Sequence, residues 1–548
     1  MMPRPVSSDS IKLRAPQSSG SVLSIPELES AIHDAQQNAG HLACADVQIA
    51  GVSLSEFRSA TRRELIQRAA EWTNQVTGQT TVCAECSHHA SLLFVTGHQP
   101  QLAHPGVWAK NFAVASMAQE ASGVGLNIIV DNDTVQTQSL RMPSGTAERP
   151  NLLSLSFDQP QPQQPWEELK ILDRELFDTF GDRVVDAMST WGIEPLIADV
   201  WPAAVESAKQ SNSMARALSA ARMSQEREWG LGNLELPLSE LCQTDCFLKF
   251  AAHLIENAEA FHSAYNQIVT DYRRIHGIRN DRHPVPNLES GADGLELPLW
   301  YWVDGDHSRC QVFVKREGDC VQLICKGTEV LSSANDCLFE SLKQLSENGK
   351  LRTRALTTTL FSRLCFADQF THGIGGAKYD EMTNRLIESF FGIAPPKFHI
   401  LTATCHLPIA SQAASSDRVN EIKQKLRDLR FNADRYLSGP EVDALSEQKD
   451  RLIRQHWQAQ TEGFSKAQRR ERQLDNRERH RKLKAVQQAL HALAKPQEEQ
   501  LRQELDEAEA QLRAHQILGS REFPAVLFPS QTILDLQSQM ARAAHVTL

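Results

Sequence analysis

The stretch Leu92-Leu-Phe-Val-Thr-Gly-His-Gln-Pro-Gln-Leu-Ala-His-Pro-Gly-Val-Trp-Ala-Lys-Asn-Phe112 decides the fold. Its opening run, Leu92 to Val95, is short and apolar and reads as a buried strand. Thr96-Gly97-His98-Gln99 is a polar turn, and Pro105-Gly106 is a second turn signal. The spacing then predicts a helix from Val107 through about Glu120. A strand feeding a polar loop and then a helix is an α/β signature, and ligands in such folds sit beyond the strand's carboxyl end, facing the helix N-terminus. His98, Gln99, His104, Lys110 and Asn111 fall inside this segment. They mark a nucleotide or anion pocket; the plainer alternative is a polar loop that satisfies its own backbone.

Working outward, Ser122-Gly123 ends that helix, and Leu126-Asn-Ile-Ile-Val130 reads as a second strand, stopping at Asp131-Asn132-Asp133. Strand, helix and strand within about 40 residues form a βαβ unit and imply a parallel sheet. The acidic triplet then shares a sheet edge with the His98 loop. Asp131 and Asp133 are candidates to hold a ribose, a substrate amine or a metal, or simply to cap the next element. A second informative loop is Phe370-Thr-His372-Gly373-Ile-Gly375-Gly376-Ala-Lys378-Tyr379-Asp380, with a helix expected from Lys378 to about Phe391. Its glycines permit close backbone approach, and a glycine-rich turn at a helix N-terminus can cradle an anion. Neither the dinucleotide fingerprint nor the Walker pattern is present.

Upstream, Pro26 onward and Ser55 to about Val76 read as helices. Residues 151 to 229 and 256 to 275 read as mostly helical. Arg273, Arg274, Arg279 and Arg282 form a basic cluster, to be read as a ligand contact or as a solvated face. Leu297–Val303, Cys310–Lys315 and Val321–Cys325 read as an antiparallel meander, with Trp300 and Trp302 as core. Beyond about Ser415 the chain turns charged and helical. Leu483, Val486, Leu490 and Leu493, then Leu501, Leu505, Ala508 and Leu512, repeat at 3-4 spacing on either side of Pro496, the pattern of an antiparallel helical hairpin or coiled coil. Phe523 to Pro529 is an apolar segment expected to dock on the body.

The chain has 548 residues, 57 basic and 68 acidic, for a net charge of −11. Two or three domains are expected at this length, and the acidic balance argues against non-specific nucleic-acid binding without excluding a local basic pocket. No apolar run reaches the length needed to span a bilayer, and no signal pattern is read at the start. Eleven cysteines, an odd number scattered over a long chain, suggest reduced thiols and a cytoplasmic setting. Cys83-Ala-Glu-Cys86-Ser-His88-His89 has no matching second half and reads as a solvent-facing loop rather than a metal site. The expected organisation is a disordered tail over 1–24, N-terminal helices and the first half of the core over 25–145, and a helical insertion over 146–290. The meander and second half of the core follow over 291–415, then a coiled-coil arm over 416–520 and a docked tail over 521–548.

The order of motifs resembles the bacillithiol-synthesis cysteine-adding enzymes (BshC type), whose core is similar to HxGH-type nucleotidylyltransferases. The matching residues are Thr96-Gly97-His98-Gln99, Pro105-Gly106, Lys110, Asp131-Asn132-Asp133, Arg354-Ala-Leu356, Ile374-Gly375-Gly376 and Leu527-Phe528-Pro529. The chain departs from that family at His98, where the family has glutamine, at Asn132 inside the acidic cluster, and at Ala377-Lys378. The resemblance implies a Rossmann-like sheet with helical insertions and a C-terminal coiled coil. It also implies a ligase or transferase joining an amino acid, cysteine being its candidate, to an amine-bearing small molecule. His98 and His104 would stabilise developing charge, and Asp131 or Asp133 would orient the amine or act as base. Thr96, Gly97, Gln99, Gly106, Lys110, Asn111, His372, Gly373, Gly375, Gly376, Lys378, Tyr379 and Asp380 would bind substrate or nucleotide, with ATP or ADP and Mg2+ as the expected cofactors and no metal held by the protein itself. A homodimer through the coiled coil is expected, with no nucleic-acid or membrane partner. The alternatives are a nucleotidyltransferase forming an adenylate and a non-catalytic nucleotide- or metabolite-binding scaffold.

Overall fold

The computed structural model describes residues 13–79, 91–306, 308–410, 414–458 and 465–545. The Cys83–His89 motif lies outside them. The chain divides into two compact units, one made of residues 1–142, 153–408 and 521–548, the other of 143–152 and 409–520.

The first unit is built on a six-stranded sheet. Its strands in chain order are β1 (Ser21–Ile25), β2 (Leu93–His98), β3 (Val124–Ile129), β4 (Leu234–Pro237), β5 (Gln369–His372) and β6 (His399–Thr404). Their spatial order is β1-β6-β5-β2-β3-β4. All neighbours are parallel except β1, which runs antiparallel to β6 with Ser21 opposite Thr404. The Leu93–Val95 core of β2 is fully buried, as a strand covered on both faces must be. The Pro105–Glu120 helix crosses from β2 to β3 and is buried almost all round, which explains why its sequence is apolar on every side. Gly106 is required where this helix starts: a Cβ there would lie 2.3 Å from the Ala403 carbonyl of β6.

Beside this sheet lies an antiparallel one of five main strands, ordered Thr328–Ala334, Cys320–Cys325, Cys310–Glu317, Gly294–Val303 and Gly349–Thr353. It extends the expected three-stranded meander at both edges. One buried apolar cluster includes β2 and β3, the Asp245–Glu256 helix and the meander. In the Phe523–Pro529 segment Phe528 is fully buried, its carbonyl accepts from the Leu196 amide at 2.9 Å, and the Ala525 amide donates to the Ala103 carbonyl at 2.8 Å.

Four expectations need correction. Ser21–Ile25, placed in a disordered tail, is strand β1, because the exposed edge of β6 offers it a ladder. The 146–290 segment is not purely helical: Pro150–Ser156 is a strand, and Leu234–Pro237 supplies β4 of the main sheet. The second helix starts at Ile374, so Gly375 and Gly376 lie in its first turn and not in a loop. In the second unit the two 3-4 stripes meet through Leu501, but each buries more of itself on other helices. Val486 and Leu490 pack with Leu429 and Val442, whereas Ala508, Leu505 and Leu512 pack with Val419 and Ile422. Both stripes therefore pack on Ser416–Phe431, and the first packs on Pro440–Gln458 as well.

Candidate functional site

From β2 the chain adds β3 and β4 on one side, then β5 and β6 on the other. The order reverses between β2 and β5, and in open α/β sheets ligands bind beyond the strand ends at that reversal. His98 ends β2 and His372 ends β5.

At the end of β2, Lys110 is buried and its Nζ donates to the Gly97 carbonyl at 2.8 Å. Among the described residues no carboxylate lies within ion-pair distance of it. Burial pushes this ammonium down to a pKa of about 8. His98 packs alongside. Its Nδ1 is 3.0 Å from the Gln99 carbonyl and its Nε2 is 3.2 Å from Asn111 Oδ1. The Asn111 amide nitrogen is committed to Glu226 at 2.8 Å, which turns its oxygen to the imidazole. A neutral imidazole carries one N–H, so it donates to only one of the two oxygens; the Gln99 carbonyl also accepts from the Gln101 amide at 2.9 Å. Burial, and after it the charges of Arg222 and Lys110, hold the ring well below its ordinary pKa.

Behind His98 the polar network continues inward. Glu226 also accepts from the Trp108 indole at 2.7 Å and from Arg222 at 2.8 Å. Arg222 then forks onto Glu235 of β4, which accepts from Asn127 of β3 at 2.7 Å. His98, Gln101, Trp108 and Arg222 line a cavity of about 30 Å³ whose other walls are apolar, room for a water or two.

At the end of β3, Asp131 is buried and accepts from the Ser239 amide at 2.9 Å and from the Ser239 hydroxyl. Burial, aided by the nearby Glu167, raises its carboxyl to about 7. Glu167 itself is clamped by Arg352 through two bonds of 3.0 and 2.8 Å. Asn132 donates to the Thr353 carbonyl at 2.8 Å. Asp133 accepts from Gln99 and pairs with Arg309 at 3.3 Å. The His98 loop and the acidic triplet are thus joined through Gln99 and Asp133.

At the end of β5, His372 Nε2 lies 2.6 Å from Asp380 Oδ2, which Arg363 also binds at 2.9 Å. Gly376 allows this: a Cβ there would be 2.8 Å from His372 Nδ1.

The expected residues therefore divide. His98, Gln99, Lys110, Asn111, Asp131 and Asp133 gather around the ends of β2 and β3. His104 instead caps its helix: its Nδ1 accepts from the Gly106 amide at 3.1 Å, and its Nε2 faces Glu522 at 3.7 Å. Thr96 bonds the Thr371 carbonyl of β5 at 2.9 Å, tying the two strands. Gly97 lends its carbonyl to Lys110, and Gly373 is the N-cap of its helix. His372 and Asp380 form a paired cluster, Tyr379 packs on the core, and Lys378 and Gly375 are exposed. Arg222, Glu226, Glu235, Arg309, Arg352 and Glu167 belong to these networks and have no local signal, since each is brought in from a distant segment. Of the four clustered arginines, Arg273 is a staple that binds the His283 carbonyl at 3.0 Å and Asn287 at 2.5 Å, Arg274 pairs with Asp271 at 2.9 Å, and Arg279 and Arg282 are exposed. Among the described residues no group of three or more His, Cys, Asp or Glu side chains is placed to hold a metal ion, and no helix is long and apolar enough to cross a membrane.

Fold and site together define a mixed α/β protein with a mostly parallel sheet and a buried, charged cluster at that sheet's carboxyl edge. No family model and no curated protein sequence matches the chain.

Proposed function

We propose that this chain is an enzyme of small-molecule metabolism with a Rossmann-like core, and that it takes an anionic group of its substrate, a carboxylate or a phosphate, against Lys110 and His98. The observation that carries the reading is Lys110, a buried ammonium whose assigned partner is one carbonyl. Burying a charge without a counter-charge costs several kcal/mol, and such a cost is retained where a ligand supplies the missing charge.

The reaction follows from the resemblance to the bacillithiol-synthesis cysteine-adding enzymes. An amino acid carboxyl, activated with an adenine nucleotide and Mg2+, is joined to the amine of a second molecule. The amine attacks the carboxyl carbon, a C–N bond forms, the activating group leaves, and the amine loses a proton. Asp131, raised to about 7 by burial, is matched to accept that proton near neutral pH. Lys110 and His98 face the developing negative charge. A cytoplasmic homodimer belongs to the same proposal.

The test is a thermal-shift panel with ATP, ADP, AMP, cysteine and an amino-sugar conjugate, on wild type and Lys110→Met. A ligand at 100 times its dissociation constant stabilises the fold by about 2.7 kcal/mol. Stabilisation of the wild type alone supports the pocket. Equal responses, or none, would leave a non-catalytic scaffold as the better account.

A further inference from the structure

We propose that the second unit carries a binding groove for single-stranded nucleic acid. The helices Ser416–Phe431, Lys466–Leu493 and Lys495–Leu518 border an open groove of about 1190 Å³. Arg427, Arg430, Lys484 and Arg502 line it, against Glu498 and Asp506. Glu498 is taken up by Arg502 at 2.6 Å and by His491 at 2.9 Å. Among the described residues no carboxylate lies within ion-pair distance of Arg427, Arg430 or Lys484. The groove thus presents three exposed cations from two helices, none of them in an ion pair among the described residues, against Asp506 as the one lining carboxylate that is not in an ion pair either.

The basic surface continues along one helix. Arg477, Arg481, Lys484, Gln488 and His491 follow one another at 3-4 spacing, which places them on one face. At 1.5 Å per residue that face is about 21 Å long. Residues 466–484 hold nine Lys and Arg against three Glu and Asp, in a chain whose net charge is −11. A polyanion repelled by the rest of the surface is attracted here.

The aromatic rim selects the kind of polyanion. Phe431 is 51% exposed, and the Arg430 guanidinium lies 5.8 Å from its ring centroid. An exposed ring beside cations is the stacking platform of single-strand binders, where bases lie on the ring and phosphates on the charges. Gln487 and Gln488 add amides within the groove. An acidic helix would need an apolar stripe to dock on, but Leu426 and Leu505 are already engaged in packing between the helices. This inference is independent of the reaction proposed above.

The experiment is fluorescence anisotropy of the full-length protein with labelled RNA and DNA single strands of about 16 nucleotides, the upper site size for such grooves. Three phosphate contacts predict affinity falling about twentyfold between roughly 50 and 200 mM salt. The triple variant Arg427→Gln, Arg430→Gln, Lys484→Gln should bind at least about tenfold more weakly and lose most of that salt dependence. Phe431→Ala, which removes only an exposed ring, should weaken binding at least about fivefold with the salt slope unchanged. It keeps the test valid if the triple variant fails to fold by circular dichroism. Three results would each overturn the proposal: no binding at low salt, wild-type affinity in both variants, or equal binding of a duplex or of polyglutamate.

Discussion

Two strand ends of the same sheet each present a histidine, and they are built in opposite ways. At the end of β5, His372 and Arg363 share Asp380, 2.6 and 2.9 Å away. Burial alone would push the Asp380 carboxyl up, but Arg363 and His372 outweigh it and hold the group well below the usual carboxylate range. At the end of β2, Lys110 has a carbonyl for a partner, and His98 faces two oxygens with one N–H to give. The first cluster has settled its charges within the fold and reads as structure. The second has not, and reads as a place that waits for a ligand.

The contrast predicts its largest effect at β5. Asp380→Asn leaves Arg363 buried without its counter-charge, and breaking one side of a buried pair costs about 3–5 kcal/mol. Urea denaturation reads this directly; a loss below about 1 kcal/mol would mean that the β5 charges are not the settled set described above.

The next effect is a pH dependence at Asp131. Its folded pKa of about 7 lies above the ordinary carboxylate value, so the folded state holds a proton that the unfolded chain releases. Its contribution is complete below the unfolded pKa and is lost as pH rises through the folded one. The slope is about 1.4 kcal/mol per pH unit, falling from roughly pH 4 to pH 7 and flat above. Asp131→Asn removes this segment, so the stability difference between the two proteins should change by about 2–3 kcal/mol between pH 5 and pH 7.5. Parallel denaturation curves at the two pH values would show instead that the carboxyl titrates normally.

Which parts of this arrangement were legible follows from where each signal lives. β2, its loop and the Pro105–Glu120 helix could be read because apolar runs and turn residues are local. β4 could not. Its four residues place Glu235 in the middle of a buried strand, and that charge is tolerable only because Arg222 and Asn127 meet it there. The glycines at 375 and 376 read as a loop because glycine weakens helices. In the fold, Gly376 makes room for the His372 ring, a reason that exists only in three dimensions. His98, Lys110 and Asn111 could be picked out by chemical type, but not the partners that set their charge. In the helical arm the 3-4 spacing identified the buried faces, yet nothing in a spacing says which helix answers it.

Lys110→Met sharpens the contrast with a smaller effect of opposite sign. The ammonium's pKa falls from its ordinary value to about 8, so below pH 8 its charge opposes folding by about 3 kcal/mol. Methionine relieves that cost but removes the Lys110 donor from the Gly97 carbonyl, which takes back about 1–3 kcal/mol. The variant should gain about 1 kcal/mol at pH 7 while losing ligand binding, the signature of a group kept for function. A melting temperature that drops by several degrees would place Lys110 among the structural charges instead.

The smallest effect is the most specific, because it reports on His98 itself. An anion arriving beside Lys110 and Arg222 offsets the repulsion that, after burial, keeps the imidazole neutral. The ring can then take a proton, and with two N–H groups it donates to both the Gln99 carbonyl and Asn111 Oδ1. Binding should therefore take up as much as one proton, and affinity should rise as pH falls, by at most about tenfold per pH unit. Titration calorimetry in two buffers of different ionisation heat counts the proton. The choice of pH separates the two candidates for it. At pH 7 Lys110, with a pKa of about 8, is already mostly charged, so uptake there belongs to the imidazole. His98→Gln keeps one donor and one acceptor but cannot titrate, and should bind with no proton taken up. Uptake that persists in this variant would move the proton, and with it the chemistry of the site, to Asp131 or beyond.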